Sequence, residues 1–270
     1  MKADMAELRT RALSHRFGLT EVLGHIDLEL RPGETVALVG PSGCGKTTLL
    51  NLCAGLLDPT GGEIFNGYVR SAYVFQQPRL LPWKSALDNI ALGLKALGMA
   101  AAERAHRARD LALQLGLAHA DMGKFPHQLS GGMQSRVALA RAFAVEPDLL
   151  LLDEPFSALD VGLKAELHAL LVEFAAAHAI AVLLVTHDLM EAVRLAQRIM
   201  LMAAPDHAPG SIVRQFPLDL PPALRDDAWV YRNTATLMAE PQVRAAFGLK
   251  ALDQRPCTPR RVHLISHHEA

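Results

Sequence analysis

The chain has 270 residues, half of them apolar, with 27 Lys and Arg against 28 Asp and Glu for a formal charge of -1. That length allows a substantial core in one large domain or two modest ones, and the balanced charge supplies no field that would gather nucleic acid or an anionic membrane surface, so neither is the expected main partner. Cys44, Cys53 and Cys257 are too few and too scattered for a disulfide framework, which fits a reducing cytoplasm, and the richest apolar run, AIAVLLV at 179–185, falls well short of the ~18 residues that span a bilayer.

Lys2, Asp4, Glu7, Arg9, Arg11 and Arg16 break up the first residues, leaving no apolar core for a signal peptide. IDLEL at 26–30 alternates like a half-exposed strand, RPGE is a turn, and TVALVG is a short apolar strand that flows into a glycine-rich loop. The helix after Lys46 is expected to reach Leu57 and to stop at DPTGG. GEIFNGY predicts a hairpin about Asn66-Gly67, and SAYVF at 71–75 a buried strand. From Pro78 to Glu146 only helical patterns occur: SALDNIALGLKAL, AAERAHRARDLALQLG and the segment beginning at Ser130. Strands return at 148–153, 179–186, 198–202 and 211–216, with helices near 162–177 and 188–196 between the first three. Beyond Pro217 there are only weak helical signals, near 222–247, and the His267-His268 pair reads as a solvated end.

This alternation predicts an α/β fold: a parallel sheet with helices on both faces, interrupted by a helical insertion. The expected division is a core from residues 1–78 and 147–217, a helical subdomain at 79–146, and a tail at 218–270.

Gly40-Pro-Ser-Gly-Cys-Gly-Lys46-Thr47 fits G-x-x-x-x-G-K-[ST] between a strand and a helix, the context that pattern requires. Its glycines let backbone N–H groups turn toward phosphate oxygens, and the helix dipole favours the anion. Lys46 is placed to reach the β and γ phosphates, Thr47 offers a hydroxyl to Mg²⁺, and Cys44 is expected only to pack. In LLLLDEP a strand apolar enough to be central ends in Asp153 and Glu154, at the carboxyl edge where such sheets bind ligands. Asp153 is the candidate metal partner and Glu154 the candidate general base. His187 and Gln76 follow strands at the same edge. On chemistry alone a lone histidine is as often structural, and glutamines at strand ends are common. A second glycine-rich helix start, LSGGMQSR from Leu129, reads in isolation as an ordinary N-cap at Ser130.

Together these segments resemble the ATP-binding subunits of ABC transporters: the Walker A loop GPSGCGKTT, the Q-loop VFQQP, the signature LSGGMQ, the Walker B strand LLLLDEP, the D-loop SALD and the switch histidine in VTHD stand in the family's order over about residues 12–215. The resemblance implies a P-loop NTPase (RecA-like) core with a parallel sheet, a small antiparallel β part and an inserted α-helical subdomain. It implies ATP and Mg²⁺ as cofactors. ATP would be contacted by Phe17, with His15 an adjacent candidate for stacking on adenine, and by Gly40, Pro41, Ser42, Gly43, Cys44, Gly45, Lys46, Thr47, Thr48 and Gln76. Thr47, Gln76 and Asp153 would serve the metal, and Glu154 and His187 the hydrolysis. In the family two such domains pair head to tail, so that Ser130, Gly131, Gly132, Met133 and Gln134 would close over ATP held by Lys46 of a second subunit, with Asp160 a contact across the dimer.

The stretch PRLLPWKSALDNIALGL resembles in particular the importers of nitrate, sulfonate, taurine and related solutes. It implies a homodimer attached to the cytoplasmic face of the inner membrane through an integral permease, served by a periplasmic or lipid-anchored solute-binding protein. Trp83 is either a permease contact or an anchor of the helical core. Two departures from the family pattern stand out: Glu63 to Tyr73 is short, which trims the antiparallel part, and Thr47 replaces the commoner serine. A soluble ABC ATPase of repair or translation is the alternative, but its long coiled-coil or zinc-bearing insertion is missing. A P-loop kinase or GTPase fits less well, since NKxD is absent and LSGGMQ present.

Overall fold

The computed structural model describes residues 6–157, 159–205 and 208–250. Among these the strands are β1 (Leu8–Phe17), β2 (Thr20–Leu30), β3 (Thr35–Val39), β4 (Gly61–Asn66), β5 (Ser71–Val74), β6 (Leu149–Asp153), β7 (Ala181–Thr186), β8 (Arg198–Ala203) and β9 (Ser211–Pro217). The helices are α1 (Lys46–Cys53), α2 (Ala86–Ile90), α3 (Leu92–Ala96), α4 (Ala101–Gln114), α5 (Gly131–Ala144), α6 (Val161–His178), α7 (Leu189–Leu195), α8 (Asp227–Ala239) and α9 (Pro241–Ala246). Strands β2-β1-β4 form an antiparallel sheet of three, and β5-β6-β7-β3-β8-β9 a sheet of six that is parallel except for β9.

The central strands are buried on both faces, so they read as unbroken apolar runs, yet successive residues still face opposite ways. In β6, Leu150 and Leu152 join the cluster formed with α2, α4, α5 and α6, while Leu149 and Leu151 join the one shared with α1 and the antiparallel sheet. A third cluster packs α7, α8 and α9 on Val39, Ile199 and Leu201. The helices after Pro217 therefore cover the sheet, with Val230 and Val243 fully buried.

Several sequence expectations need correction. Strand β1 carries no clean alternation because a bulge shifts its register between Thr10 and Leu13, throwing Leu8 and Leu13 out of phase, and β2 starts six residues before the expected 26. Helix α1 stops at Cys53, not Leu57. Gly55 takes φ +68, while Leu56 N–H donates to Asn51 O and Gly55 N–H to Leu52 O, a Schellman cap. No hairpin forms about Asn66-Gly67: β4 pairs with β1, and Asn66 Oδ1 accepts from Tyr68 N–H at 3.0 Å as the chain turns toward β5 in the other sheet. The expected helix over 85–97 is split at Ala91 into α2 and α3. Strand β7 begins at Ala181 because Ala179, at φ +50, caps α6.

Candidate nucleotide site

Strands β5, β6, β7 and β3 are parallel and in register, so Val74, Asp153, Thr186 and Val39 bring their chains out at one edge. Each of the loops that follow carries a candidate residue. After β3, Gly45 holds φ +94 at the N-cap of α1, a conformation open to glycine, and the place of its missing side chain is taken by Leu23. Lys46 is only 6 % exposed, and its Nζ donates to Gly40 O at 2.9 Å and Pro41 O at 2.8 Å, tying the two ends of the loop together. Ser42, Gly43 and Thr47 are exposed along the loop, and Pro41 and Thr48 half-buried. Cys44 is buried with its Sγ 3.9 Å from Lys46 Nζ, and burial holds its thiol above the ordinary value against the pull of that ammonium. It packs, as expected.

Thr47 Oγ1 donates to Asp153 Oδ1 at 3.0 Å, across 106 residues of chain. Burial pushes the Asp153 carboxyl above its ordinary value, and Glu154 acts in the same sense, against the Thr47 hydrogen bond and the Lys46 charge. A hydroxyl and a carboxylate oxygen this close are hard donors suited to Mg²⁺, which takes few protein ligands and completes its shell with phosphate oxygens and water.

Glu154 lies at φ +45, a conformation that costs a non-glycine residue about 1–3 kcal/mol. The surroundings impose it: Glu154 N–H donates to Val185 O at 2.9 Å, and its carbonyl accepts from Ser157 Oγ at 3.0 Å. The side chain then receives two neighbours on one oxygen, with Gln76 Nε2 at 3.3 Å and His187 Nδ1 at 3.1 Å from Oε2. Such a carboxylate, beside a metal-type oxygen pair and a phosphate loop, suits the polarising of a water next to a phosphoryl group.

Phe17 ends β1 with half its surface exposed, while His15 is buried and meets it edge-on at 4.6 Å. Only Phe17 offers a free ring face. The signature residues stand apart from this cluster. Ser130 Oγ caps α5 by accepting from Met133 N–H at 3.2 Å, and Gln134 Nε2 donates to Pro126 O at 3.0 Å and Leu129 O at 3.2 Å. Gly131 is exposed and Gly132 lies against Leu163. Among the described residues no hydrogen bond joins Ser130–Gln134 to the Gly40–Thr48 loop. Asp160 caps α6 through Leu163 N–H at 3.0 Å and is exposed.

The family model of the ABC transporter matches residues 23–157. The chain belongs to the ABC transporter family. This ABC ATPase is 46 % identical over 216 residues, 80 % of its length and 79 % of the relative's, to an aliphatic sulfonates import ATP-binding protein of Pseudomonas fluorescens. It is 48 % identical over 202 residues, 73 % of its length and 78 % of the relative's, to one of Paracoccus denitrificans. It matches the dimeric structure of a bacterial ABC transporter cassette with a TM-score of 0.71 and 30 % identity over 79 % of this chain and 99 % of that one. A dimeric post-hydrolysis state of the cassette bound to ADP and Pi matches equally well, with a TM-score of 0.71. As a member of the family, the ABC ATPase binds and hydrolyses ATP.

Two features of the ABC ATPase around the site have structural roles that its sequence did not disclose. Asn89 is fully buried and binds Leu81 N–H and O, Lys84 O and Ser85 O, so it pins the loop that carries Trp83. Trp83 itself is 68 % exposed, which removes its reading as an anchor of the helical core. Lys164, half-buried, forms ion pairs with Asp188, beside His187 in the chain and also half-buried, and with the buried Glu191. Their only signal in sequence is the placing of two acids three apart at a helix start. Among the described residues no helix is long and apolar enough to cross a membrane. Cys257 and His267-His268 lie outside the described residues.

Proposed function

We propose that this ABC ATPase is the ATP-hydrolysing subunit of an importer of aliphatic sulfonates. The observation that supports hydrolysis at this edge is the convergence of Gln76 and His187 on Glu154 Oε2 beside the Thr47–Asp153 pair. In this reading Lys46 and the Gly40–Thr48 loop hold the phosphates, Phe17 covers the adenine, Thr47 and Asp153 hold Mg²⁺ with Gln76 near it, and Glu154 accepts a proton from water while His187 orients the γ phosphate. When bound, Mg²⁺ would supply neutralisation of phosphate charge. Residues 1–78 and 147–217 act as the catalytic core, and 79–146 as the insertion that meets the membrane partner.

The geometry of the signature also favours a shared site. Ser130 and the first N–H groups of α5 suit an anion, but their hydrogen bonds are made away from the Gly40–Thr48 loop, so the ATP they grip belongs to a second copy. The named dimeric cassette supports that arrangement. Sulfonate is favoured over nitrate by what the relatives are named for. A permease in the membrane, this chain at its cytoplasmic face and a solute-binding protein outside complete the proposed importer.

The test is to purify tagged Glu154→Gln chain from detergent-solubilised membranes of its own cells with ATP, then to reconstitute the wild-type assembly with its solute-binding protein. A polytopic permease, and ATPase activity stimulated by alkanesulfonates, are expected. Recovery of ribosomes or nucleic acid in place of a permease would overturn the transport reading, and stimulation by nitrate alone the sulfonate one.

A further inference from the structure

Behind the candidate site, α6 and α7 are joined by charged groups that the hydrolytic reading does not use. Asp160 caps α6, and Lys164 and His168, four residues apart within it, share one face. Lys164 Nζ donates to Asp188 Oδ2 at 2.6 Å and lies 3.2 Å from Glu191 Oε1, and His168 Nε2 lies 3.1 Å from the same Glu191 oxygen. Glu191 is 3 % exposed and His168 5 %.

Two routes lead from this cluster to Glu154. Asp188 Oδ1 accepts from Met190 and Glu191 N–H, while Asp188 N–H donates to Thr186 Oγ1 at 3.0 Å, so His187 sits between two fastened neighbours. Its Nδ1 then meets Glu154 Oε2 at 3.1 Å. On the other side the His168 ring stands edge-on to the fully buried Phe156 at 4.7 Å, two residues past Glu154.

We propose that Glu191, clamped by Lys164 and His168, is a positioning residue that locks the turn bearing His187 against Glu154, so that the rate of ATP hydrolysis depends on a carboxylate that never meets the nucleotide. The proposal rests on the reading of Glu154 and His187 as the hydrolytic pair. Buried ion pairs add little net stability compared with apolar packing, but their directional bonds fix geometry, and that is what a pair of side chains meeting at one oxygen requires. Because Lys164 lies one turn after Asp160, the same clamp ties the D-loop end of α6 to the switch histidine.

The experiment compares full-length Glu191→Gln, Lys164→Met and Lys164→Arg with wild type and with Glu154→Gln, measuring ATP affinity, KM, kcat and thermal melting. Glu191→Gln and Lys164→Met are expected to lower kcat about tenfold or more, toward the ~10²-fold that a misplaced group costs. ATP affinity should stay within about twofold of wild type, the signature of an interaction felt only in the transition state. Lys164→Arg should recover most of the rate. Wild-type kcat in folded Glu191→Gln and Lys164→Met overturns the lock, as does a loss of kcat that tracks loss of affinity or melting temperature without recovery by arginine. If Glu191→Gln does not fold, the Lys164 pair decides, since that side chain is 23 % exposed at the rim of the cluster. Full hydrolysis by Glu154→Gln overturns the base reading instead, whereas an inactive Glu154→Gln beside a fully active Glu191→Gln overturns the lock alone.

Discussion

His187 Nδ1 lies 3.1 Å from Glu154 Oε2, although 33 residues and a whole helix separate the two in the chain. Parallel pairing of β6 with β7 brings them together, because Asp153 registers with Val185 and both chains leave the sheet at the same edge. Replacing Glu154 by Gln keeps the shape and removes the charge. Hydrolysis is expected to fall ~10²- to 10⁴-fold while ATP stays bound and the dimer accumulates, measured by phosphate release and size-exclusion chromatography with ATP. Rapid turnover by this variant would remove Glu154 as the base.

Lys46→Ala should abolish tight ATP binding. The side chain is buried and held by Gly40 O and Pro41 O, so its loss removes both a phosphate partner and the tie across the loop. Isothermal titration with ATP is the check, and unchanged affinity would mean that the phosphates bind elsewhere.

Ser130→Arg should leave ATP binding near wild type and block hydrolysis. Ser130 is exposed and its hydrogen bond goes to Met133 N–H and not to the Lys46 loop, so on the shared-site reading a bulky cation there obstructs a second subunit's nucleotide and spares its own. Mixing this variant with Lys46→Ala offers a second readout: one composite site of the mixed dimer has both halves intact and should hydrolyse ATP.

Acid should loosen the α6–α7 clamp. Burial opposes charge on Glu191, but the bonds from His168, Thr186 and Lys164 outweigh it and hold the carboxyl below its ordinary 4.5; Asp188, bonded to Lys164, is likewise held below 3.8. A lowered folded value means that this stability is complete above pH 4.5 and is lost as pH falls through the folded pKa. Lys164 is raised above 10.5 and stays charged throughout, and His168 faces Glu191 from the same helix. The melting temperature should therefore drop below about pH 4.5, and Glu191→Gln should flatten that part of the curve. An unchanged slope in the variant would count against the clamp.

Trp83→Ala should change the stability of the isolated chain by less than about 0.5 kcal/mol, as for other exposed positions, yet weaken its recovery with the permease. Asn89→Ala should both destabilise the chain and weaken that recovery, since it releases the loop and leaves Leu81 N–H and Lys84 O without their partner.

The parts of the site legible in sequence are those whose local chemistry is self-contained. Gly40–Thr47 carries its own turn and helix start, and LLLLDEP announces both a central strand and the acids at its end. What local pattern could not supply was register and phase. Strand β1 was hidden by a bulge, and Asn66-Gly67 has the composition of a hairpin turn but closes a strand whose partner lies fifty residues upstream. Likewise Glu191 looks like any helical glutamate until α6 brings Lys164 and His168 against it.

One apolar cluster holds Ile90, Ala108 and Phe143 of the helical insertion together with Leu150, Leu152 and Val182 of the sheet and Leu167 of α6. The insertion therefore has no private interior. Any movement of the insertion relative to the sheet has to disturb this shared, close-packed contact. Leu80 and Leu87, on either side of Trp83 in the chain, pack against the same cluster as Leu150 and Leu152 of β6, the strand that ends at Asp153, one step before Glu154.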